Sequence, residues 1–282
     1  MPVKRKPQRK LPKMPGKSSS DSNSDSSVIV EPLGHFVRYG FIGSLRYLRF
    51  VLDALRNSLA ALQCHHLTVE QMHRIGITSL PLVITTSVFT GSIMSWQLAY
   101  QFAGMIPLTY VGMAVGKSVM TELAPILTAM VLAGRIGASM CSELGTMAVT
   151  EQLDAYNVLG MNPYKFLIVP RITATVIMIP ILTILSIFVG LMGGFVVVYL
   201  YRDVSFHTFF SGVRLSYKDW DFAVGIIKAA LFGFFISSYA CYFGYYTMNG
   251  AEGVGKSTKA TVVFSMTSIL IGGFALSKLL LI

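Results

Sequence analysis

Charged residues are scarce in this sequence. They account for 13% of the 282 residues, whereas hydrophobic residues account for 53%. Soluble globular domains carry about 25% charged residues, so this composition excludes an ordinary soluble domain. It indicates a polytopic membrane protein, and one bundle of spans accounts for the length of the chain.

Cysteine is scarce as well, with three residues and no CxxC spacing. The cysteines give no disulfide framework, and packing inside the protein is their simplest role. A tetrahedral zinc site needs four convergent ligands, and adjacent histidines point to different faces of a helix. We therefore expect no metal at the residues that invite one, which are Cys64, His65, His66 and His73.

Residue sets for catalysis are missing too. No Ser/His/Asp set and no pair of carboxylates lies at membrane-edge positions, so we expect neither enzyme activity nor a cofactor in this chain. The first residues also lack the apolar core of a secretory signal peptide.

Positive charge is concentrated towards the start of the chain. The formal net charge is +10, and most of it comes from residues 1–74. A basic terminus on an apolar protein indicates binding to an anionic membrane surface rather than to nucleic acid. Residues 1–34 have almost no apolar content and are expected to be disordered. A transit peptide is the alternative, but Asp21, Asp25 and Glu31 weaken it because such peptides are poor in acids.

Residues 35–66 show a helical pattern. Apolar residues recur at spacings of three and four, which predicts one amphipathic helix. An apolar stripe with a cationic remainder is typical of a helix lying in the membrane interface, and packing against the spans from the cytosolic side is compatible with this. The stripe consists of Val37, Phe41, Leu45, Leu48, Leu52, Leu55, Leu59 and Leu62.

Five apolar segments follow in residues 67–282, each long enough to cross a bilayer, which takes about 20 residues. The bias of Lys and Arg between loops places the N-terminus in the cytosol. With an odd number of spans, the C-terminus then lies outside. The predicted spans are 77–98, 119–147, 166–200, 222–248 and 260–281.

A short charged island, TEQLDAYNVLGMNPYKFLIVPR, separates the second and third spans. Thr150 is a suitable N-cap, and Gly160 followed by Pro163 is a suitable stop, so a helix is predicted over residues 151–159. Leu153, Tyr156 and Leu159 would share one face. Docking on another protein and a simple connector are both open interpretations of this helix.

Residues 121–171, TELAPILTAMVLAGRIGASMCSELGTMAVTEQLDAYNVLGMNPYKFLIVPR, resemble the MlaE-type permease family of ABC transporters. The flanking spans fit, so the resemblance covers residues 68–281. It implies an all-α integral membrane fold with an interfacial N-terminal helix and five spans. It also implies a homodimer that binds phospholipid or another lipid between its subunits. The bacterial inner membrane is the expected location, with the plastid inner envelope as the alternative.

The resemblance implies partners and site residues as well. A cytosolic ATPase dimer, which binds the ATP, would dock on the helix at 151–159, and an MCE-domain protein would sit on the periplasmic side. The coupling residues would be Glu151, Gln152, Leu153, Asp154, Tyr156 and Leu159. The lipid-cavity candidates are Met94, Gln97, Phe102, Met105 and Glu122. The sequence departs from the family pattern at Ala148, where a Lys is common, and at Asn157, where an acid is common.

The second span contains three charges, which are costly in hydrocarbon. Glu122 and Arg135 are about 20 Å apart along a helix, and Arg135 and Glu143 about 12 Å, so each needs a partner on another element or across a dimer, unless the helix breaks. We expect Glu122 to line a polar opening to the cavity, and Arg135 and Glu143 to be structural. The alternative is an ion- or proton-coupled transporter that uses Glu122, Arg135 and Lys228 as a relay. A break of this helix would occur near Pro125, Gly134 and Gly137.

Residues 250–257, GAEGVGKS, match the P-loop pattern letter for letter. A P-loop follows a buried strand in a soluble domain, whereas this segment lies between two spans. We interpret it as a turn, with Lys256 and Lys259 on the cytosolic side.

Overall fold

In a computed structural model, the described residues are 43, 45–57, 65–102, 107 and 109–280. They fall into two units, residues 1–46 and residues 47–282, and the first unit has only residues 43, 45 and 46 described. The described residues are mostly helical and contain no strand. The disorder predicted for residues 1–34 lies outside them.

Five helices are long and apolar enough to cross a membrane. This confirms the predicted all-α membrane fold, and each helix extends beyond the predicted segment at one or both ends. The first described helix, α1, covers residues 45–56, and two short helices, α4 (Gln152–Val158) and α6 (Phe206–Ser216), lie between spans. The spans are α2 (His65–Gln101), α3 (Thr109–Val149), α5 (Tyr164–Arg202), α7 (Asp219–Tyr245) and α8 (Gly250–Leu280).

Helix α3 continues without a break past Pro125, Gly134 and Gly137. It contains two π-helical segments, Val119–Leu123 and Ala133–Gly137, and the helix continues through both. Such wide turns are rare and are often found at functional sites. Here they contain Glu122 and Arg135, two of the three charges that lie in the predicted second span.

Helices α2 and α5 pack closely because small residues line their contact. A Cβ atom added at Gly91 would lie 1.9 Å from the carbonyl oxygen of Gly190, so only glycine fits there. Ser87 donates a hydrogen bond to Ser186 at 2.7 Å, and Ser92 donates one to the carbonyl oxygen of Gly193 at 3.2 Å. Small residues and hydroxyl bonds of this kind are what holds helices together where lipid removes the hydrophobic driving force.

Helix α1 packs on the bundle through the side that the leucine stripe does not occupy. Phe50 and Ala54 are buried, whereas Leu48, Leu52 and Leu55 are each about half exposed. The described part of the stripe is therefore free to face lipid, as an interfacial helix requires, whereas Val37, Phe41, Leu59 and Leu62 lie outside the described residues. The helix ends at Arg56 and not at residue 66, and its interfacial location stays a prediction.

Tyr47 fixes α1 to α7 by a hydrogen bond of 2.6 Å between its hydroxyl and that of Ser238. Its ring stacks on Tyr239 with 4.7 Å between centroids. Burial raises the pKa of the Tyr47 hydroxyl well above its usual value, so this group stays protonated and the hydrogen bond persists across the physiological pH range.

The glycine contact between α2 and α5 predicts a large difference between two Gly-to-Ala substitutions. Gly91→Ala has to push α2 away from α5, and we expect it to lower the free energy of unfolding by about 3 kcal/mol. Gly255→Ala meets no atom within 4 Å, and the higher helix propensity of alanine stabilises it by up to about 1 kcal/mol. The unfolding midpoints of the purified variants in detergent measure the difference, and equal midpoints would contradict the close packing.

Candidate functional site

The segment between α3 and α4 turns sharply at Glu151. Thr150 ends α3 and donates its hydroxyl to the carbonyl oxygen of Thr146 at 2.9 Å, so it does not cap the next helix as predicted. Glu151 takes that position in a left-handed conformation, with φ of 60°. The helix then ends as expected, with Gly160 left-handed at φ of 73°.

Helix α4 is fixed to the bundle by Leu153. This side chain is 2% exposed and lies in a cluster with Leu144 of α3, Ile168 of α5 and Tyr245 of α7. A displacement of α4 would therefore press directly on three spans, because close-packed interiors transmit strain.

The outer side of α4 ends in two exposed apolar residues, which we call the α4 tip: Val158, 87% exposed, and Leu159, 74% exposed. Tyr156 is half-buried. Leu159 therefore does not share a face with the buried Leu153, because α4 stops at Val158 and the chain turns at Gly160. Glu151, Gln152 and Asp154 are exposed and surround the helix with polar groups.

Glu122 has its partners on α7 and α8. Its Oε1 atom accepts a hydrogen bond from Lys228 Nζ at 2.7 Å and another from the Ser277 hydroxyl at 2.7 Å. Nζ also donates to the Ser277 hydroxyl at 2.8 Å and to the carbonyl oxygen of Thr121 at 3.1 Å. Lys228 is completely buried and Glu122 is one third exposed, so the pair is neutralised and its acidic end faces the surface of the chain.

The local backbone explains why this lysine reaches this glutamate. A Cβ atom at Gly225 would lie 2.4 Å from the carbonyl oxygen of Met120, so α7 crosses the first π-helical segment at a glycine. Lys228 follows one turn later, level with Glu122. The sequence points to the lysine but not to Ser277, whose role depends on how α8 packs.

The other charges of α3 also bond to neighbouring helices. Glu143 forms ion pairs with Arg74 of α2 at 2.7 Å and with the buried Arg171 of α5 at 3.5 Å. Arg135 donates to the Ser79 hydroxyl of α2 at 2.9 Å. Each charge therefore has a partner on another element, as their spacing in the sequence required.

The predicted relay is not contiguous among the described residues. Lys228 and Glu122 bond to one another, whereas the hydrogen bond of Arg135 goes to Ser79 on another helix. The structure likewise places the lipid-cavity candidates on different elements, because Glu122 faces α7 and α8 while Met94 and Gln97 lie on α2.

Of the remaining two lipid-cavity candidates, the structure describes only one. Phe102 packs against the cluster formed by α3, α5 and α6, and Met105 lies outside the described residues. The role of all these residues in a lipid cavity stays a prediction.

The P-loop match is helical. Residues 250–257 form the first turns of α8, so the interpretation as a turn was wrong, and only Gly250 has a positive φ, 65°. Lys256 is exposed and pairs with Glu252 at 2.7 Å along the same helix. Backbone N–H groups that are tied up in a helix cannot cradle phosphate.

The described cysteines and histidines offer no metal site. No group of three or more potential ligands comes together among the described residues. Cys141 and Cys241 are buried free thiols within the core, whereas Cys64 lies outside the described residues.

Comparison with known proteins places this arrangement among permeases. The family described as Permease MlaE matches residues 68–279. A probable ABC transporter permease protein of Synechocystis is 40% identical over 76% of this chain and 81% of its own length. One from Rickettsia bellii is 35% identical over 82% of this chain and 89% of its own. The chloroplast protein TRIGALACTOSYLDIACYLGLYCEROL 1 of Arabidopsis thaliana is 34% identical over 75% of this chain and 60% of its own.

The buried ion pair predicts a large effect when one partner is removed. Glu122→Ala leaves the ammonium of Lys228 without its counter-charge, and we expect it to lower the free energy of unfolding by about 3 kcal/mol. Replacing both partners, by Glu122→Gln with Lys228→Met, should recover most of that loss. Lys256→Met, which breaks an exposed pair, should change it by less than about 1 kcal/mol. Thermal unfolding of the four proteins measures this, and a double variant no better than Glu122→Ala would contradict the pairing.

The helical state of residues 250–257 predicts no ATP binding by this chain alone. The purified protein and its Lys256→Ala variant should be retained equally, at background level, by an ATP resin. Specific retention that is lost in the variant would show that the segment acts as a P-loop.

Proposed function

This chain belongs to the MlaE permease family, and we propose that it is the membrane-spanning subunit of an ABC transporter that moves phospholipid or another lipid between membranes of the cell envelope. A separate cytosolic ATPase dimer would supply the ATP binding. We expect the chain to work as a homodimer in the bacterial inner membrane, together with a periplasmic MCE-domain protein. The N-terminus would then be cytosolic and the C-terminus periplasmic.

The observation that carries this proposal is the α4 tip. Two apolar side chains, Val158 and Leu159, lie almost fully exposed on a short helix with polar surroundings, at the end of the bundle. A short apolar protrusion fits a groove on another protein. The same helix is rigidly held by Leu153, so a partner that moves the tip also moves α3, α5 and α7.

Lipid is the cargo that the surroundings favour. One relative bears the name of a diacylglycerol lipid, trigalactosyldiacylglycerol. Apolar side chains such as Phe89 and Ile93 of α2 and Phe274 of α8 are each more than half exposed in this chain. They provide surfaces for a second subunit or for acyl chains, and the charged end of Glu122 would face a headgroup.

The proposed mechanism follows from these contacts. ATP binding would bring the two ATPase subunits together and shift each α4. Because Leu153 contacts three spans, that shift would change the separation of the spans and reshape a lipid cavity between the subunits. Interaction energy at the ATPase would thereby be converted into a change in lipid affinity.

The α4 tip predicts a selective loss of coupling. Leu159→Asp places a carboxylate in the proposed groove, where it would be desolvated, and we expect ATP-dependent lipid transfer and co-purification of the ATPase to fall at least tenfold. The protein itself should unfold at an unchanged temperature, because residue 159 is exposed.

A matched control is Leu215→Asp on α6, where the leucine is 72% exposed. We expect this variant to transfer lipid normally. Native mass spectrometry of the tagged complex, extracted from its own membrane, measures the bound ATPase. Full ATPase binding by Leu159→Asp would refute docking at the tip, and lipid transfer driven by a proton gradient without ATPase would favour the ion-coupled alternative.

A further inference from the structure

A polar cleft of about 230 Å³ lies between α2 and α3, at the end of the bundle that also carries α4. Its polar lining comes from both helices, and Ile75, Ile136 and Met140 form an apolar base. Arg74, Thr78 and Ser139 at its edge are exposed, so the cleft is open to the surroundings of the chain. The polar lining consists of Gln71, Arg74, Thr78, Ser79, Arg135, Ser139 and Glu143.

The cleft carries excess positive charge. Arg74 and Arg135 line it together with one acid, Glu143, and Glu143 is already bonded to Arg74 and to Arg171 behind it. Arg135 has only the neutral Ser79 hydroxyl as a partner and no carboxylate among the described residues. A further guanidinium nitrogen, Nη1 of Arg171, is buried without a hydrogen-bond partner in the described part of the chain. Ionisable groups inside a membrane normally pair with an opposite charge or face a wet cavity, so an unbalanced guanidinium in this cleft favours an anion.

The position of the cleft along α2 would suit the boundary between headgroups and acyl chains. Helix α2 contains no charged residue after Arg74. Ser79, the partner of Arg135, lies five residues further along, about 7.5 Å deeper at ~1.5 Å per residue. The cleft therefore runs from the charged edge of the span into its apolar part, where the phosphate of a lipid meets the first carbons of its chains.

The described acids of α2 and α3 in a second copy of this chain do not offer the missing anion. The two acids of α3 are both engaged, Glu122 by Lys228 and Glu143 by two arginines. Glu70 of α2 lies nine residues before Ser79, about 13 Å nearer the helix end at ~1.5 Å per residue. A lipid phosphate is a source of negative charge that the membrane itself supplies at this level.

We propose that the cleft between α2 and α3 binds the phosphate of a membrane phospholipid. Arg135 and Arg74 form charge-assisted hydrogen bonds to its oxygens, for which a guanidinium fork is well suited. Pockets for drug-sized ligands measure about 300–1,000 Å³, so this smaller cleft takes the headgroup and leaves the acyl chains in the bilayer. The inference needs only that the chain lies in a phospholipid membrane and does not depend on the proposed transport function.

The test uses a photo-crosslinking side chain at Thr78, on the exposed edge of the cleft, in the full-length protein. The protein is placed in nanodiscs that contain dioleoylphosphatidylglycerol and dioleoylglycerol in equal amounts, and the captured lipids are identified by mass. The same side chain at Thr85, seven residues later on the same exposed side of α2, is the matched control. We expect the ratio of phosphorylated to unphosphorylated lipid captured at Thr78 to exceed the ratio at Thr85 about tenfold.

Arginine variants assign that enrichment to the cleft. Arg74→Gln and Arg135→Gln should each remove it, and Arg56→Gln on α1, an exposed arginine outside the cleft, should leave it unchanged. Because Arg74 is 58% exposed and Glu143 keeps Arg171, Arg74→Gln should fold even if Arg135→Gln does not.

Four results would overturn the proposal. Three of them are equal ratios at Thr78 and Thr85, an enrichment that survives Arg74→Gln, and capture of a second protein chain at Thr78 in place of lipid. Loss of capture in excess inorganic phosphate would also overturn it, because the site would then prefer free phosphate to a headgroup. No ATPase is present in this experiment, so its outcome is separate from that of the coupling test.

Discussion

Charges inside an apolar medium have to be neutralised locally, and this requirement determines how α3 sits among its neighbours. Glu122 is bonded to α7 and α8, Arg135 to α2, and Glu143 to α2 and α5. A rotation of α3 by one residue would separate all three charges from their partners. The apolar side chains around them allow many packings of similar energy, so the polar contacts select the register.

The two ends of the bundle are stabilised differently. At the α4 end, α1, α3, α4, α5 and α7 meet in one apolar cluster that contains Phe50 and Leu153. Further along the spans, α2 and α5 approach through Gly91 and Gly190 with almost no side chains between them. A shift of α4 therefore acts first on this cluster, whereas the backbone contact between α2 and α5 lies further away and resists separation. This difference favours a tilting of the spans about the contact between α2 and α5 over a separation of all the spans.

Much of the fold was predictable because the spans are long apolar segments that are separated by charged ones. The need of Glu122, Arg135 and Glu143 for partners on other elements also followed from the rise of a helix. Which partners they take did not, because Ser79, Arg171 and Ser277 become neighbours only through the packing of distant helices. Capping rules that consider one helix at a time also gave a wrong N-cap where one residue lies between two helices.

Thr150 is that residue. Its hydroxyl suits an N-cap, but α3 extends to it and the hydroxyl bonds backwards to Thr146, which leaves the left-handed position to Glu151. Residues 250–257 show the reverse. Their glycines suggest a turn, yet the segment is helical and continues into the long apolar part of α8, although each glycine lowers the helix propensity by about 1 kcal/mol.

The π-helical segments of α3 have a consequence for comparisons between relatives. A single π turn is equivalent to one residue inserted into an α-helix, and it shifts everything that follows by about 100° around the axis, one residue in ~3.6 per turn. Val119–Leu123 and Ala133–Gly137 therefore set the phase of the helix between its two ends. A relative whose helix is one residue shorter would keep its ends in place by losing that residue at one of these turns. Alignment gaps within this span belong there, and a gap elsewhere would misassign every polar position beyond it.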